Sequence, residues 1–188
     1  EPIIGYAPRI RARDAAFPAL QRAIEQCRVV TFSYLRPGDA RSRERRIRPL
    51  ALLEYEARWH VFGFDLTMDA ERTFLLSRIV GDVAVTRERF DEALRVGAGE
   101  RALAGLEAVA RRQRALLEVH PGTEAALRLS RRAESAPQGI IVPYVDLHVF
   151  ADELASYGPE VRVVAPDDLR DQVIRRLSAT LALHGGAA

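Results

Sequence analysis

The spacing of apolar residues changes once, early in this chain, and the change limits what the chain can fold into. Phe17, Leu20 and Ile24 recur at helical intervals, which predicts a short helix over residues 17–27. From Val29 the pattern becomes that of strands. Residues 29–35 are rich in Val, Thr, Phe and Tyr, and Arg36-Pro37-Gly38-Asp39 has turn chemistry, since proline presets φ and glycine relieves it. Residues 45–55 alternate, with Arg46, Arg48, Leu50 and Leu52 on one parity and Ile47, Ala51 and Leu53 on the other. Segments 58–64, 72–79 and 82–86 complete five predicted strands. One helix followed by five short strands joined by turns predicts a small closed β-barrel over residues 17–87.

The remainder alternates element types. Residues 88–114 are predicted as a linker with helical character, carrying a weak stripe of Leu103, Leu106 and Val109. Strands are expected at 115–119, 140–143 and 161–164, and helices at 121–133, 145–157 and 167–183. Leu147, Phe150, Leu154 and Tyr157 share one helix face, and Leu169, Val173, Leu177 and Leu181 share another. The paired acids Asp167 and Asp168 suit a helix start, where the macrodipole favours negative charge. This half, residues 115–184, is expected to be a small α+β sandwich, with a tail at 185–188. Residues 1–16 read as an irregular, proline-containing lead-in. The chain begins at Glu1 rather than a methionine, which suggests a piece of something longer.

Charge singles out one segment. All 28 basic residues are arginine, as codon usage in a GC-rich genome would give. Six of them, Arg36, Arg41, Arg43, Arg45, Arg46 and Arg48, cluster within residues 36–48 against only Asp39 and Glu44. The net charge of the whole chain is +2, so the rest is slightly acidic. A local basic patch suggests a polyanion site; the structural alternative is a charged, solvated hairpin. No apolar run approaches the ~20 residues of a membrane span. Cys27 is the single cysteine and cannot form an internal disulfide, which points to a reducing, cytoplasmic setting. With four scattered histidines it leaves no metal-ligand constellation, and no metal or other cofactor is expected.

Enzyme motifs are weak. Gly97-Ala98-Gly99-Glu100-Arg101-Ala102 matches a Gly-x-Gly-x-x-Ala dinucleotide fingerprint, but such a loop needs a buried strand in front of it. Residues 91–96 are too polar for that, so the segment reads as a flexible linker that starts a helix. No nucleophile elbow and no Ser–His–acid grouping is visible, and Cys27 reads as core filler. A non-catalytic role is expected.

The barrel segment carries the richer chemistry. It mixes arginines with Tyr34, Tyr55, Trp59, His60 and Phe74, the combination of cations and flat rings that single-stranded nucleic acid requires. The rings read equally as stacking faces or as core. Arg46, Arg72 and Arg78 lie within predicted strands, where an inward charge needs a partner, and point to a site. Arg72 and Arg78 are six residues apart, which would place them with Phe74 and Leu76 on one face of the fourth strand.

These residues carry a resemblance. Val30-Thr31-Phe32-Ser33-Tyr34, Arg46-Ile47-Arg48-Pro49-Leu50, Arg58-Trp59-His60-Val61 and Arg72-Thr73-Phe74-Leu75-Leu76-Ser77-Arg78-Ile79 resemble a WYL domain in order and spacing. Residues 115–183, with Val119-His120-Pro121-Gly122, Ala155-Ser156-Tyr157-Gly158 and Pro166 ahead of Leu169-Arg170, resemble the WYL C-terminal extension. The turn at residues 36–39 and the run Leu76-Ser77-Arg78-Ile79 look most like the PafB/PafC branch of actinobacterial transcriptional regulators. The resemblance implies an α+β chain: a helix and a five-stranded Sm-like barrel, then a ferredoxin-like domain. It implies the effector-sensing part of a DNA-damage-responsive transcription factor that binds single-stranded nucleic acid. In that reading Tyr34 and Trp59 offer ring faces, Arg46, Arg72 and Arg78 bind phosphate with Arg48 beside them, and Ser33, His60 and Ser77 add hydrogen bonds. A homodimer or paralogous heterodimer is implied, with duplex promoter DNA bound only through an N-terminal winged-helix domain absent from this sequence. The name-giving Trp-Tyr-Leu is Trp59-His60-Val61 here, and Leu75 stands where a basic residue is usual. The alternatives are an assembly module that binds no nucleic acid, or a sensor of a small anionic or nucleotide ligand.

Overall fold

A computed structural model describes residues 15–185, which fall into two compact units meeting within one helix, between Ala104 and Gly105. The expected lead-in and tail lie almost wholly outside the described residues.

The first unit opens with α1 (Phe17–Glu25). Pro18 suits the first helical turn, where a missing N–H costs nothing. Leu20, Ala23 and Ile24 form the buried face, and the helix stops before Cys27, whose φ of 51° breaks it. Five strands follow: β1 (Arg28–Tyr34), β2 (Arg43–Tyr55), β3 (Arg58–Asp65), β4 (Ala70–Leu75) and β5 (Ile79–Arg89). Their order is β4-β3-β2-β1-β5, with every pairing antiparallel.

The expected closed barrel is not what this pairing gives. β4 ends at Leu75, and a 3-10 turn at Leu76–Arg78 carries the chain round to β5. β5 then pairs with β1, and no ladder joins it to β4. The fourth strand is therefore shorter than the alternation at residues 72–79 predicts, and Arg72 and Arg78 do not share one strand face. The fifth is longer and runs through residues assigned to the linker.

Each face of this sheet is covered. α1 lies with Val30, Phe32, Tyr34, Ile47, Val61, Phe74 and Leu76 on what we call the inner face. Cys27, Val29, Leu50, Phe62 and Phe90 cluster on the outer face with Ala98 and Ala102 of α2 (Ala98–Arg112). A bulge at Leu50 lets β2 turn between the two. Gly63 is required there: a Cβ would come within 2.5 Å of the Arg48 carbonyl oxygen. The residues ahead of Gly97 form a 3-10 turn (Glu92–Arg95) and not a buried strand, so the context a dinucleotide loop needs is missing. The buried stripe of α2 is Ala98, Ala102, Leu106 and Ala110; Leu103, assigned to it from sequence, is exposed.

In the second unit the order is β6 (Arg114–Val119), α3 (Glu124–Leu129), β7 (Glu134–Ala136), β8 (Gly139–Pro143), α4 (Leu147–Ser156), β9 (Val161–Ala165) and α5 (Asp167–His184). The sheet runs β7-β8-β6-β9, again antiparallel. Thr123 and Asp146 cap α3 and α4 by accepting hydrogen bonds from backbone N–H groups, as short polar side chains do at a helix start. The core gathers Leu117, Leu129, Val142, Phe150, Leu154 and Leu169. The short strand β7 went unseen in the sequence. Leu181, placed on the apolar stripe of α5, is exposed, and only Leu169 and Val173 of that helix are buried.

Candidate functional site

Strand alternation decides which of the predicted site residues can meet. Directly opposed residues in an antiparallel pair point to the same face. On the inner face, Tyr34 lies in β1, Trp59 in β3 and Arg72 beside Gly63 in β4. On the outer face lie Ser33, opposite Glu44, and Arg46, opposite Thr31. Arg48, opposite Phe64, and His60, opposite Leu53 and Leu75, lie there too. Seven of the nine predicted residues thus split between two sides of one sheet, and the other two lie beyond it. Ser77 is exposed in the 3-10 turn, and Arg78 is half-buried at its end.

The environments differ accordingly. Arg46 is exposed and pairs with Glu88. Arg48 lays its guanidinium over the Phe64 ring, 5.6 Å from its centroid. His60 is buried, and its Nδ1–H donates to the Arg58 carbonyl at 3.0 Å. These three are accounted for by their own surroundings. Tyr34 is core: its ring meets Phe74 edge-on at 5.2 Å, and its Oη accepts a hydrogen bond from the Leu75 N–H. Its ring is therefore not free to stack on a base. Trp59 is half-buried, packed against Phe17 at 4.7 Å in a T-shaped contact.

Sequence reasoning missed Arg45. It shares the inner face with Ile47, opposite Phe32, and is 6% exposed. Its Nη1 lies 3.8 Å from Oδ2 of Asp65, which is fully buried opposite Ile47. That separation is an ion pair without a hydrogen bond. Thr67 and Met68 donate their N–H groups to Asp65 Oδ1 at 2.9 and 3.2 Å, while Oδ2 has no hydrogen-bond partner. The Nε atoms of Arg45 and Arg72 are also buried without one. Arg72 stands on the same face, one row from Asp65 in the neighbouring strand. The inner face thus carries one paired guanidinium and carboxylate, Arg45 and Asp65, and a second guanidinium, Arg72, on the same side of the sheet, each with a buried polar atom that has no hydrogen-bond partner. The usable signal was parity: Arg45, not Arg46, alternates with Ile47.

A WYL domain matches residues 15–84, and a WCX domain matches residues 93–181. The chain belongs to the WYL-domain family. It is 27% identical over 179 residues to Protein PafB of Mycobacterium tuberculosis, covering 90% of this chain. It is 30% identical over 186 residues to Protein PafB of Mycobacterium leprae, again covering 90% of this chain. It spans 54% of the length of each of these relatives. Among solved structures it is similar to proteasome accessory factor B/C (PafBC) of Arthrobacter aurescens, with 28% identity and a TM-score of 0.52. That match covers 89% of this chain and 27% of the other. The inner-face cluster of Arg45, Asp65 and Arg72 falls within the WYL match. Among the described residues no cluster of metal-ligating side chains occurs, and no helix is long and apolar enough to cross a membrane.

Proposed function

We propose that this chain is the effector-sensing part of a transcriptional regulator of the DNA-damage response, and that its WYL domain binds single-stranded nucleic acid. The observation that carries the reading is the pair of inner-face guanidiniums, Arg45 and Arg72, with Nε donors buried and unspent. Buried donors are ordinarily satisfied, so an unfilled pair on one sheet face is suited to a ligand that brings acceptors. Phosphate does this, and arginine binds it through paired N–H donors. Trp59 borders the same face and supplies an edge for a base. Residues 17–87 form the WYL unit in this reading, an Sm-like barrel with one seam left unladdered. Residues 88–114 link it to a ferredoxin-like WCX unit at 115–184. Arg46 and Arg48 leave the site because they face the other way.

The test is a titration of labelled single-stranded and duplex DNA at two salt concentrations. Two to three phosphate contacts give a log–log salt slope of roughly −2 on a single strand. Duplex preference, or binding indifferent to salt, refutes the reading.

A second reading rests on a different observation. Among the described strands β5 pairs only with β1, and it carries exposed Val80 and Val85. An unpaired strand edge with apolar side chains is a template for another chain. On this reading the unit serves assembly with a second copy or with a paralogue, and binds no nucleic acid. The similar Arthrobacter protein carries the names of two factors, B and C, on a chain over three times as long, which favours a paralogous partner. Sedimentation of the chain with and without single-stranded DNA separates the two readings: assembly alone gives a dimer whose affinity the DNA does not change.

A further inference from the structure

We propose that Asp65 is a resident counter-charge: it holds Arg45 in the sheet interior and competes with the phosphate of an incoming strand for that guanidinium. The inference rests on the nucleic-acid reading above and assigns Asp65 the setting of its affinity. Asp65 is anchored from its own side, since Oδ1 accepts the N–H groups of Thr67 and Met68 in the turn that follows β3. A carboxylate fixed in this way cannot swing to meet a partner. Its other oxygen is aimed at Arg45 but stops at 3.8 Å, too far for a hydrogen bond. Asp65 thus holds Arg45 by charge and not by a hydrogen bond, and the buried Nε of Arg45 has no acceptor. Charge attraction without a hydrogen bond positions a guanidinium while leaving it able to turn toward a better acceptor.

The local charge count supports this. Arg45 brings one positive charge to the Asp65 carboxylate, and Arg72 adds a second to the same sheet face without an ion pair to Asp65. One phosphate would complete the balance, and Asp65 sets how much positive charge that phosphate finds. Without Asp65 the face would hold an anion more tightly and release it less readily. With a carboxylate able to reach Arg45, the guanidinium would be spent before any ligand arrived.

The two cases define the experiment. Asp65→Asn keeps an amide oxygen for the Thr67 and Met68 N–H groups and removes only the charge. A labelled oligothymidylate of about twelve nucleotides, titrated at low salt, should bind Asp65→Asn about tenfold more tightly than the parent chain, with the gap narrowing as salt screens the charges. Asp65→Glu keeps the charge on a longer arm. It should bind more weakly than the parent, and it carries the test if the Asn variant does not fold. Arg72→Gln is the control for the site itself and should weaken binding. If Arg72→Gln weakens binding while Asp65→Asn or Asp65→Glu binds like the parent, the counter-charge role is overturned and the nucleic-acid reading stands. If the parent chain does not bind the oligonucleotide at all, both fall together.

Discussion

Replacing Arg45 by methionine isolates the energetic weight of the inner-face ion pair. The substitution keeps much of the buried stem and removes the guanidinium, leaving the Asp65 carboxylate fully buried without its counter-charge. At 3.8 Å and an effective dielectric of about 20, the lost attraction is about 4 kcal/mol. Removing one member of a buried pair typically costs about 3–5 kcal/mol. Asp65 keeps two backbone donors, so a loss of about 2–4 kcal/mol is expected for the first unit. The single tryptophan, Trp59, lies in that unit and reports its unfolding by fluorescence. With a urea dependence of about 2 kcal/mol per molar, the midpoint should fall by about 1–2 M. Arg46→Ala is the comparison, because its pair with Glu88 is exposed and worth about 0–1 kcal/mol. The double variant Arg45→Met/Asp65→Leu should recover most of the loss, since an apolar pair can replace a buried ionic one at little cost. A midpoint for Arg45→Met within error of that for Arg46→Ala would refute the assignment of Arg45 to the interior.

Three further outcomes follow from the same structure. Gly63→Ala drives a Cβ to 2.5 Å from the Arg48 carbonyl oxygen, a backbone atom that cannot step aside, and should cost about 1–3 kcal/mol in urea unfolding. Trp59→Ala removes the ring that packs edge-on against Phe17, and should loosen α1 from the sheet at about 2–4 kcal/mol, seen by circular dichroism as lost helix at lower denaturant than the parent. The phenol of Tyr144, stacked on Phe150, has its pKa raised above 10.0 by burial first and by the nearby Asp168 charge second. A raised acid binds its proton more tightly when folded, so this contribution is complete below pH 10 and is lost as pH climbs through the folded value. The alkaline destabilisation of the second unit should therefore be reduced in Tyr144→Phe, followed by denaturant unfolding at about pH 9 and 11.

How much of this was legible in the sequence depends on what fixed each feature. α1 and the second-unit helices were readable because a helix writes its buried face into its spacing: Leu20 with Ile24, Phe150 with Leu154, Leu169 with Val173. Where the spacing was met by small residues it failed. Of the larger residues Leu103, Leu106 and Val109 that the spacing predicts for the stripe of α2, only Leu106 is fully on it; the rest of the buried stripe is alanine at 98, 102 and 110. The end of β4 at Leu75 was not legible either. The alternation of Arg72, Phe74, Leu76 and Arg78 continues through the 3-10 turn as though it were strand, because Leu76 is buried there for a different reason, as part of the inner core.

The site shows the same division at higher stakes. Charge clustering at residues 36–48 singles out the stretch that contains Arg45, but six arginines in thirteen positions say nothing about which of them turn inward. That choice belongs to register. Ile47 pairs with Val30 on one side and Asp65 on the other, all three buried, and this fixes the parity of β2 ahead of the bulge at Leu50. Past the bulge the alternation shifts by one: Leu50 packs on the outer side with Arg46 and Arg48 while Leu52 packs against the inner cluster, so one parity for all four does not hold. Counting back from Ile47 instead gives Arg45 as the inward residue and Arg46 and Arg48 as outward ones. The bulge that brings β2 within contact of Gly63 is thus also what concealed Arg45, the buried guanidinium of the candidate site.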